Sequence, residues 1–373
     1  MDNGELKVDN GELKMENCLS SKKTSSNHSQ FSILNSQFPS SHSQFSILNS
    51  QFFSQFLKIG YNSGKDSKFP EISLDVNNPG LIVLLGRNGV GKSTLLRTLA
   101  GLQSPVSGEL KLMGKDISQY SQREKSSLIS FVSTEKPNIA NMTAFNLVSL
   151  GRYSYTNWLG SLNENDEQIV RNAMKIAGVT HLANDNINEI SDGELQRVMI
   201  ARTLAQDTPV IILDEPVAFL DLPNKFEILL LLRNLAWNEK KTIILSAHDF
   251  DIAIRLADML WIMTSETLEQ GAPEDFALNH GFKAIFKDSG IFFDYKTGIV
   301  DAGINLTKEI SLVCDDANTG FWLTKAFNRL GFRVSNAAAI SVEVKNGNYI
   351  CKKDNVEKEC CSVYELCKTL QEL

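Results

Sequence analysis

A mixed α/β fold on a buried parallel sheet is predicted for this chain of 373 residues by three apolar stretches that each end in chemistry-bearing residues. Leu81 to Leu85 runs into Gly86-Arg87-Asn88-Gly89-Val90-Gly91-Lys92-Ser93-Thr94. Val210-Ile211-Ile212-Leu213 runs into Asp214-Glu215-Pro216, and Thr242 to Ala247 runs into His248-Asp249. Continuous runs of leucine and β-branched residues suit strands covered on both faces. In open α/β sheets the ligand lies beyond the carboxyl ends of the strands, where all three polar clusters fall.

The first cluster fits G-x-x-x-x-G-K-[ST] in the context that pattern needs, after a strand and before a helical pattern at Leu95, Leu96 and Leu99. Gly86, Gly89 and Gly91 let the loop curl so that successive N–H groups, that of Asn88 included, face a triphosphate. Lys92 offers a cation to the β- and γ-phosphates, Ser93 a hydroxyl to Mg²⁺, and Thr94 completes the motif. At the second strand end, Asp214 is expected to hold Mg²⁺ through water and Glu215 to activate the attacking water. At the third, His248 is placed to donate a hydrogen bond to the γ-phosphate. About a hundred residues after the glycine loop, Ser191-Asp192-Gly193-Glu194 opens a helix over Leu195 to Leu204, whose N-terminus favours an anion. The glycine loop already cradles the chain's own nucleotide, so a second copy of the chain is the simplest recipient of that helix.

These motifs, in this order, resemble those of the ATP-binding subunits of ABC transporters over roughly Leu57 to Phe286. The resemblance implies a P-loop nucleotide-binding domain with a RecA-like core, an antiparallel β portion and an inserted helical subdomain. It also implies ATP and Mg²⁺ as ligands and a homodimer that closes on two ATP molecules. Tyr61 matches the aromatic that stacks on adenine. Ser191, Gly193 and Glu194, within the signature Ser191 to Arg197, would serve the ATP of the partner copy. Val217-Ala218-Phe219-Leu220-Asp221 matches the loop that crosses the dimer interface, and His248 the switch histidine. Two positions depart from the pattern. Thr134 stands where glutamine is usual, with a shorter side chain to reach a metal-bound water. Asp192 stands where glycine is usual, a charge that must point outward or cap the helix. Gly151-Arg152-Tyr153 and Asp166 most resemble the branch serving importers of iron–siderophore, haem or cobalamin. That branch implies transmembrane permease subunits and, indirectly, an external solute-binding protein.

Upstream, Asp2 to Lys7 recurs as Asp9 to Lys14, and His28 to Phe38 recurs unchanged as His42 to Phe52. Residues 1–53 therefore read as low-complexity and disordered, and the perfection of the repeat suggests a natural start near Phe53 or Leu57. The ATPase domain is expected over 54–286. Its antiparallel β portion, glycine loop and helix should lie within Leu57 to Gly101, and its helical subdomain at about 137–190. Ala144 to Leu150 and Ile169 to Leu182 carry helical spacing. Ile252 to Asp258 reads as a helix, Leu260 to Met263 as a strand and Gln270 to Asp275 as a turn into another helix. Residues 287–373 read as a small α/β appendage. In it, strands Glu309 to Cys314 and Phe332 to Val334 flank a helix over Thr319 to Leu330. A hairpin of Ile340 to Val344 with Tyr349 to Cys351 follows, and then a closing helix over Ser362 to Leu370.

Composition narrows the class. Hydrophobic content of 42% and charged content of 22% are those of a globular protein, and a net charge of −7 gives no electrostatic reason to bind nucleic acid. The longest apolar runs, such as Ile228 to Leu232, fall far short of the ~20 residues that span a bilayer, and the N-terminus has no signal-peptide pattern. The expected location is peripheral, on the cytoplasmic face of the inner membrane, with a partner supplying the pore. Five of the six cysteines lie in the appendage region, with no zinc spacing, and are expected to be buried free thiols. The alternative reading is a soluble ABC ATPase acting on ribosomes or DNA. One cassette and no sustained heptad run speak against it.

Overall fold

The computed structural model describes residues 52–60, 69–135, 137, 139–156, 162–218, 220–287, 290–295, 297–336, 338–345, 347–354 and 356–372. Expectations for residues 1–51, Tyr61 and Phe219 lie outside them. In chain order the first elements are β1 (Phe52–Lys58), β2 (Ile72–Val76), β3 (Gly80–Leu85), α1 (Lys92–Leu99), β4 (Ser107–Leu112), β5 (Lys115–Asp116), α2 (Gln122–Leu128) and β6 (Ile129–Val132). Then come α3 (Ala144–Ser149), α4 (Glu164–Ile176), α5 (Asp192–Gln206), β7 (Val210–Leu213), α6 (Leu222–Asn238), β8 (Thr242–Ser246), α7 (Phe250–Leu256), β9 (Met259–Met263), β10 (Leu268–Gly271), α8 (Pro273–Leu278) and α9 (Lys283–Phe286).

A six-stranded sheet of order β10-β9-β3-β8-β7-β6 is parallel except for β10. Alternation along its strands divides the core in two. Leu81, Val83, Leu85, Ile211, Leu213, Ile243 and Leu245 face one layer, whose helices supply Leu147, Val170, Val198 and Ile228. Ile82, Leu84, Ile212, Ile244 and Trp261 face the other, which holds Leu95, Leu96 and Leu99 of α1 and Phe52, Leu74 and Leu110 of an antiparallel sheet. That second sheet, of order β2-β1-β4-β5, extends past Gly101 to Asp116, beyond the expected limit. Its first strand begins at Phe52, the last residue of the second repeat copy, because that ring is fully buried opposite Val76 and Leu112. Gln270 and Gly271, expected in a turn, instead pair with Trp261 and Leu260 as an edge strand.

Between β6 and β7 the described residues are helical, with one isolated bridge from Thr143 to Asn186. α4 starts earlier than its apolar spacing suggests, at Glu164, because Asn163 caps it by accepting from the Asp166 amide. The Arg152 and Asp166 side chains form a buried ion pair at 2.9 Å, and Arg152 also donates to the Ala205 carbonyl at 2.9 Å. These bonds tie the short helical turn after α3 to α4 and to the C-terminal end of α5.

The remaining elements are β11 (Ile291–Asp294), β12 (Ile299–Ala302), β13 (Lys308–Val313), α10 (Ala317–Arg329), β14 (Phe332–Val334), β15 (Ile340–Lys345), β16 (Asn348–Lys353), β17 (Val356–Cys360) and α11 (Val363–Glu372). Five strands form a sheet of order β14-β13-β15-β16-β17, with a cluster of its own around Ile310, Phe327, Phe332, Val342 and Leu366. The hairpin β11–β12 was not anticipated. Its Phe293 joins Phe250 and Phe282 in an edge-to-face aromatic group. β17 also escaped sequence reading, since Val356 to Glu359 are all exposed and show no apolar alternation. Cys351, Cys360 and Cys367 are buried free thiols as expected. Cys314 is half-buried and Cys361, at the turn after β17, is exposed.

Removing one member of a buried ion pair leaves the other charge unpaired, so Asp166→Ala should cost about 3 kcal/mol in urea unfolding. Arg152→Met with Asp166→Leu should cost less than Asp166→Ala alone.

Candidate nucleotide site

The glycine loop joins β3 to α1 at the carboxyl edge of the parallel sheet. Gly89 and Gly91 adopt φ of +81° and +105°, and Gly91 begins α1 with no side-chain cap. The first amides of α1 are therefore left to an external acceptor, the arrangement that binds anions. Gly86 is required by space: a Cβ there would lie 2.4 Å from the Met263 carbonyl oxygen. Lys92 is 5% exposed, and its Nζ donates to the carbonyls of Gly86 at 2.8 Å and Arg87 at 3.3 Å. Burial lowers its pKa, partly offset by the nearby carboxylates of Glu215 and Asp214. Polyphosphate oxygens would satisfy this ammonium better than the loop carbonyls do. Ser93 and Asn88 are exposed beside it, while Thr94 is buried.

Asp214 is 2% exposed at the end of β7, and its Oδ1 accepts from Ser246 Oγ at 2.8 Å. The same Ser246 Oγ accepts from the Glu215 amide at 2.8 Å. Glu215 sits at φ +51°, a left-handed conformation that costs a non-glycine residue about 1–2 kcal/mol. Its Oε1 lies 2.6 Å from His248 Nε2. Sequence reading assigns these two side chains separate tasks, whereas the structure bonds them to each other. Ser246 was read only as part of a strand; its signal was a polar residue closing an otherwise apolar run. The loop after β8 is held by the Ala247 amide donating to Leu84 O at 3.1 Å and by Lys225 Nζ donating to Asp249 at 2.7 Å.

Ser191 and Glu194 build a capping box at the start of α5. Glu194 Oε2 accepts from Ser191 N at 2.8 Å and Ser191 Oγ at 2.7 Å, and these bonds hold its carboxyl below the usual range. Glu194 thus shapes the helix start. Asp192 is exposed in the first turn, where a carboxylate suits the helix dipole, and the cap itself is Ser191. Gly193 lies against Leu220: a Cβ there would be 3.1 Å from Leu220 Cδ2. One cleft is lined by Thr134, Asp192, Glu215 and Leu220 together. The start of α5 therefore borders the same cleft as the carboxylate edge. Thr134 is exposed, and its neighbour Glu135 pairs with Arg97 at 3.1 Å.

Comparison with known proteins fits this geometry. Residues 69–218 match the ABC transporter family model, and residues 307–371 match the model of the iron ABC transporter C-terminal domain. An ABC transporter ATP-binding protein of Methanocaldococcus jannaschii is 39% identical over 220 residues, 59% of this chain and 75% of that protein. The achromobactin transport ATP-binding protein CbrD of Dickeya dadantii is 38% identical over 234 residues, 62% of this chain and 86% of that protein. Among solved structures, an inward-facing ABC transporter assigned to the metal-chelate type aligns with TM-score 0.55 and 26% identity, over 64% of this chain and 89% of that one. With its glycine loop, carboxylate pair and signature helix set around one sheet edge, this chain belongs to the ATP-binding subunits of ABC transporters, a family of ATPases.

Proposed function

We propose that this chain hydrolyses ATP to power an importer of an iron–siderophore or related metal chelate such as haem or cobalamin. It works as a pair of identical subunits beneath transmembrane permease subunits, which are loaded by an external solute-binding protein. The observation that carries the chemistry is the gathering of Lys92, Asp214, Glu215 and His248 at one sheet edge. The match of residues 307–371 to an iron-transporter module favours a metal chelate as cargo, and transport over action on ribosomes or DNA. No helix among the described residues is long and apolar enough to cross a membrane. In this reading the permease supplies the pore and this subunit works at the cytoplasmic face of the inner membrane.

In this reading the amides of Gly86, Asn88, Gly89 and Gly91 surround the phosphates, with Lys92 and Thr94 beside them, and Tyr61 stacks on adenine. The exposed Ser93 hydroxyl and the buried Asp214 carboxylate are oxygen donors of the kind a hard divalent cation takes, so they would hold Mg²⁺. Mg²⁺, when bound, offsets charge on the β- and γ-phosphate oxygens. Glu215 accepts a proton from the water that attacks the γ-phosphorus, and the bond to the β–γ bridging oxygen breaks to leave ADP and phosphate. His248 must swing off Glu215 to donate to the γ-phosphate, which makes nucleotide occupancy a switch for that contact. Thr134, which lines the same cleft as Glu215, would offer its hydroxyl to a water on that cation. Ser191 and Gly193, in a helix start shaped by Glu194, close on the ATP of the second copy.

Glu215→Gln should retain ATP binding and lose about 10²-fold or more of the turnover. Near-normal turnover would contradict the base assignment. Cells lacking the chain should fail to take up radiolabelled ferric siderophore, and the tagged variant should recover a many-helix permease from gently solubilised membranes. Recovery of ribosomes or DNA-bound proteins instead would contradict the transport role.

A further inference from the structure

The geometry points to Ser246 as the positioning residue that sets both carboxylates of the hydrolytic site, an inference resting on the ATPase reading above. Its hydroxyl is fully buried at the end of β8, with Leu84 of β3 as its register partner. Because Leu213 pairs with Leu245, Ser246 stands level with Asp214 on the adjoining strand. A serine hydroxyl carries one proton to give and lone pairs to receive. Both capacities are used here: Oγ donates to Asp214 Oδ1 at 2.8 Å and accepts from the Glu215 amide at 2.8 Å. One atom therefore fixes the carboxylate proposed to hold the metal and the backbone of the residue proposed as base.

The second bond matters because Glu215 is held at φ +51°, a conformation that persists only where its surroundings enforce it. Ser246 enforces it from the amide side, and the 2.6 Å contact to His248 holds only the far end of the side chain. When His248 leaves to meet a γ-phosphate, Ser246 remains as the anchor of Glu215. Removing the hydroxyl would also leave the buried Asp214 carboxylate without that donor, so it could turn away from the metal position. The role is one of orientation, because Ser246 is fully buried and bonds to the Asp214 carboxylate and the Glu215 amide.

The test compares Ser246→Ala, Ser246→Thr and Ser246→Val with wild type. It reads kcat, the KM for ATP, and binding of a fluorescent ATP analogue with and without Mg²⁺. Loss of the hydroxyl in Ser246→Ala and Ser246→Val should lower kcat about 10- to 100-fold and shrink the affinity gained on adding Mg²⁺ by a similar factor. Affinity without Mg²⁺ should stay within about twofold of wild type, since the glycine loop is untouched. Ser246→Thr keeps the hydroxyl on a strand-compatible side chain and should restore the wild-type Mg²⁺ response. Threonine and valine have nearly the same shape, so their contrast decides the matter even if Ser246→Ala folds poorly. Equal losses in both, or a kcat within about twofold of wild type in Ser246→Val, would overturn the inference. A wild-type protein that does not hydrolyse ATP at all would overturn the ATPase reading, and this inference with it.

Discussion

Parallel pairing in register sets Leu84 beside Ser246, Leu245 beside Leu213 and Leu213 beside Val132, so these strands stop at one edge. The four residues proposed to carry the hydrolytic step come after such strand ends. Lys92 follows β3 through the glycine loop, Asp214 and Glu215 follow β7, and His248 follows β8. A slip of one residue in any pairing would turn each affected strand's apolar set to the opposite face. The two buried layers, one against the helices and one against α1 and the antiparallel sheet, make such slips costly. The frame of the site is therefore fixed by burial on both faces of the sheet.

On that frame the polar contacts do a different task, that of storing charge out of water. Lys92 and Asp214 are nearly buried and of opposite sign, and the carboxylates of Glu215 and Asp214 partly offset the effect of burial on the ammonium. Opposite charges near each other in a poorly solvated site are tolerable apart from substrate, and both can be redirected to a bound nucleotide. The Glu215–His248 bond is more exposed and satisfies two polar side chains. In the proposed mechanism His248 exchanges it for a phosphate oxygen, so that filling the site frees the base.

The three strand ends and the glycine loop could be read from sequence because apolar runs and the polar residues after them report burial and exposure directly. Arg152 and Asp166 were legible only as a family likeness. The structure gives them a physical task, a buried ion pair clasping the helical region. Ser246 was hidden because a hydroxyl at a strand end has no periodic signature, and its importance comes from a neighbouring strand. Glu194 stood among the ligand residues in the sequence, but its side chain is engaged in capping α5. β17 was missed because its exposed residues, Val356 to Glu359, show no apolar alternation, and Phe52 because repeat composition masked a residue whose ring fills the core.

The cleft lined by Thr134, Asp192, Glu215 and Leu220 borders both the carboxylate edge and the start of α5. The proposed ATP-bridged pair requires α5 of one copy to meet the nucleotide of the other, a geometry in which ATP itself is the adhesive. Sedimentation of the Glu215→Gln protein with and without ATP and Mg²⁺ tests this most directly. The account predicts the monomer mass without nucleotide and twice that mass with ATP, reverting when Lys92→Ala is added to remove the phosphate-binding cation. A protein that stays monomeric at saturating ATP, or that pairs equally well without it, would contradict the shared-site mechanism.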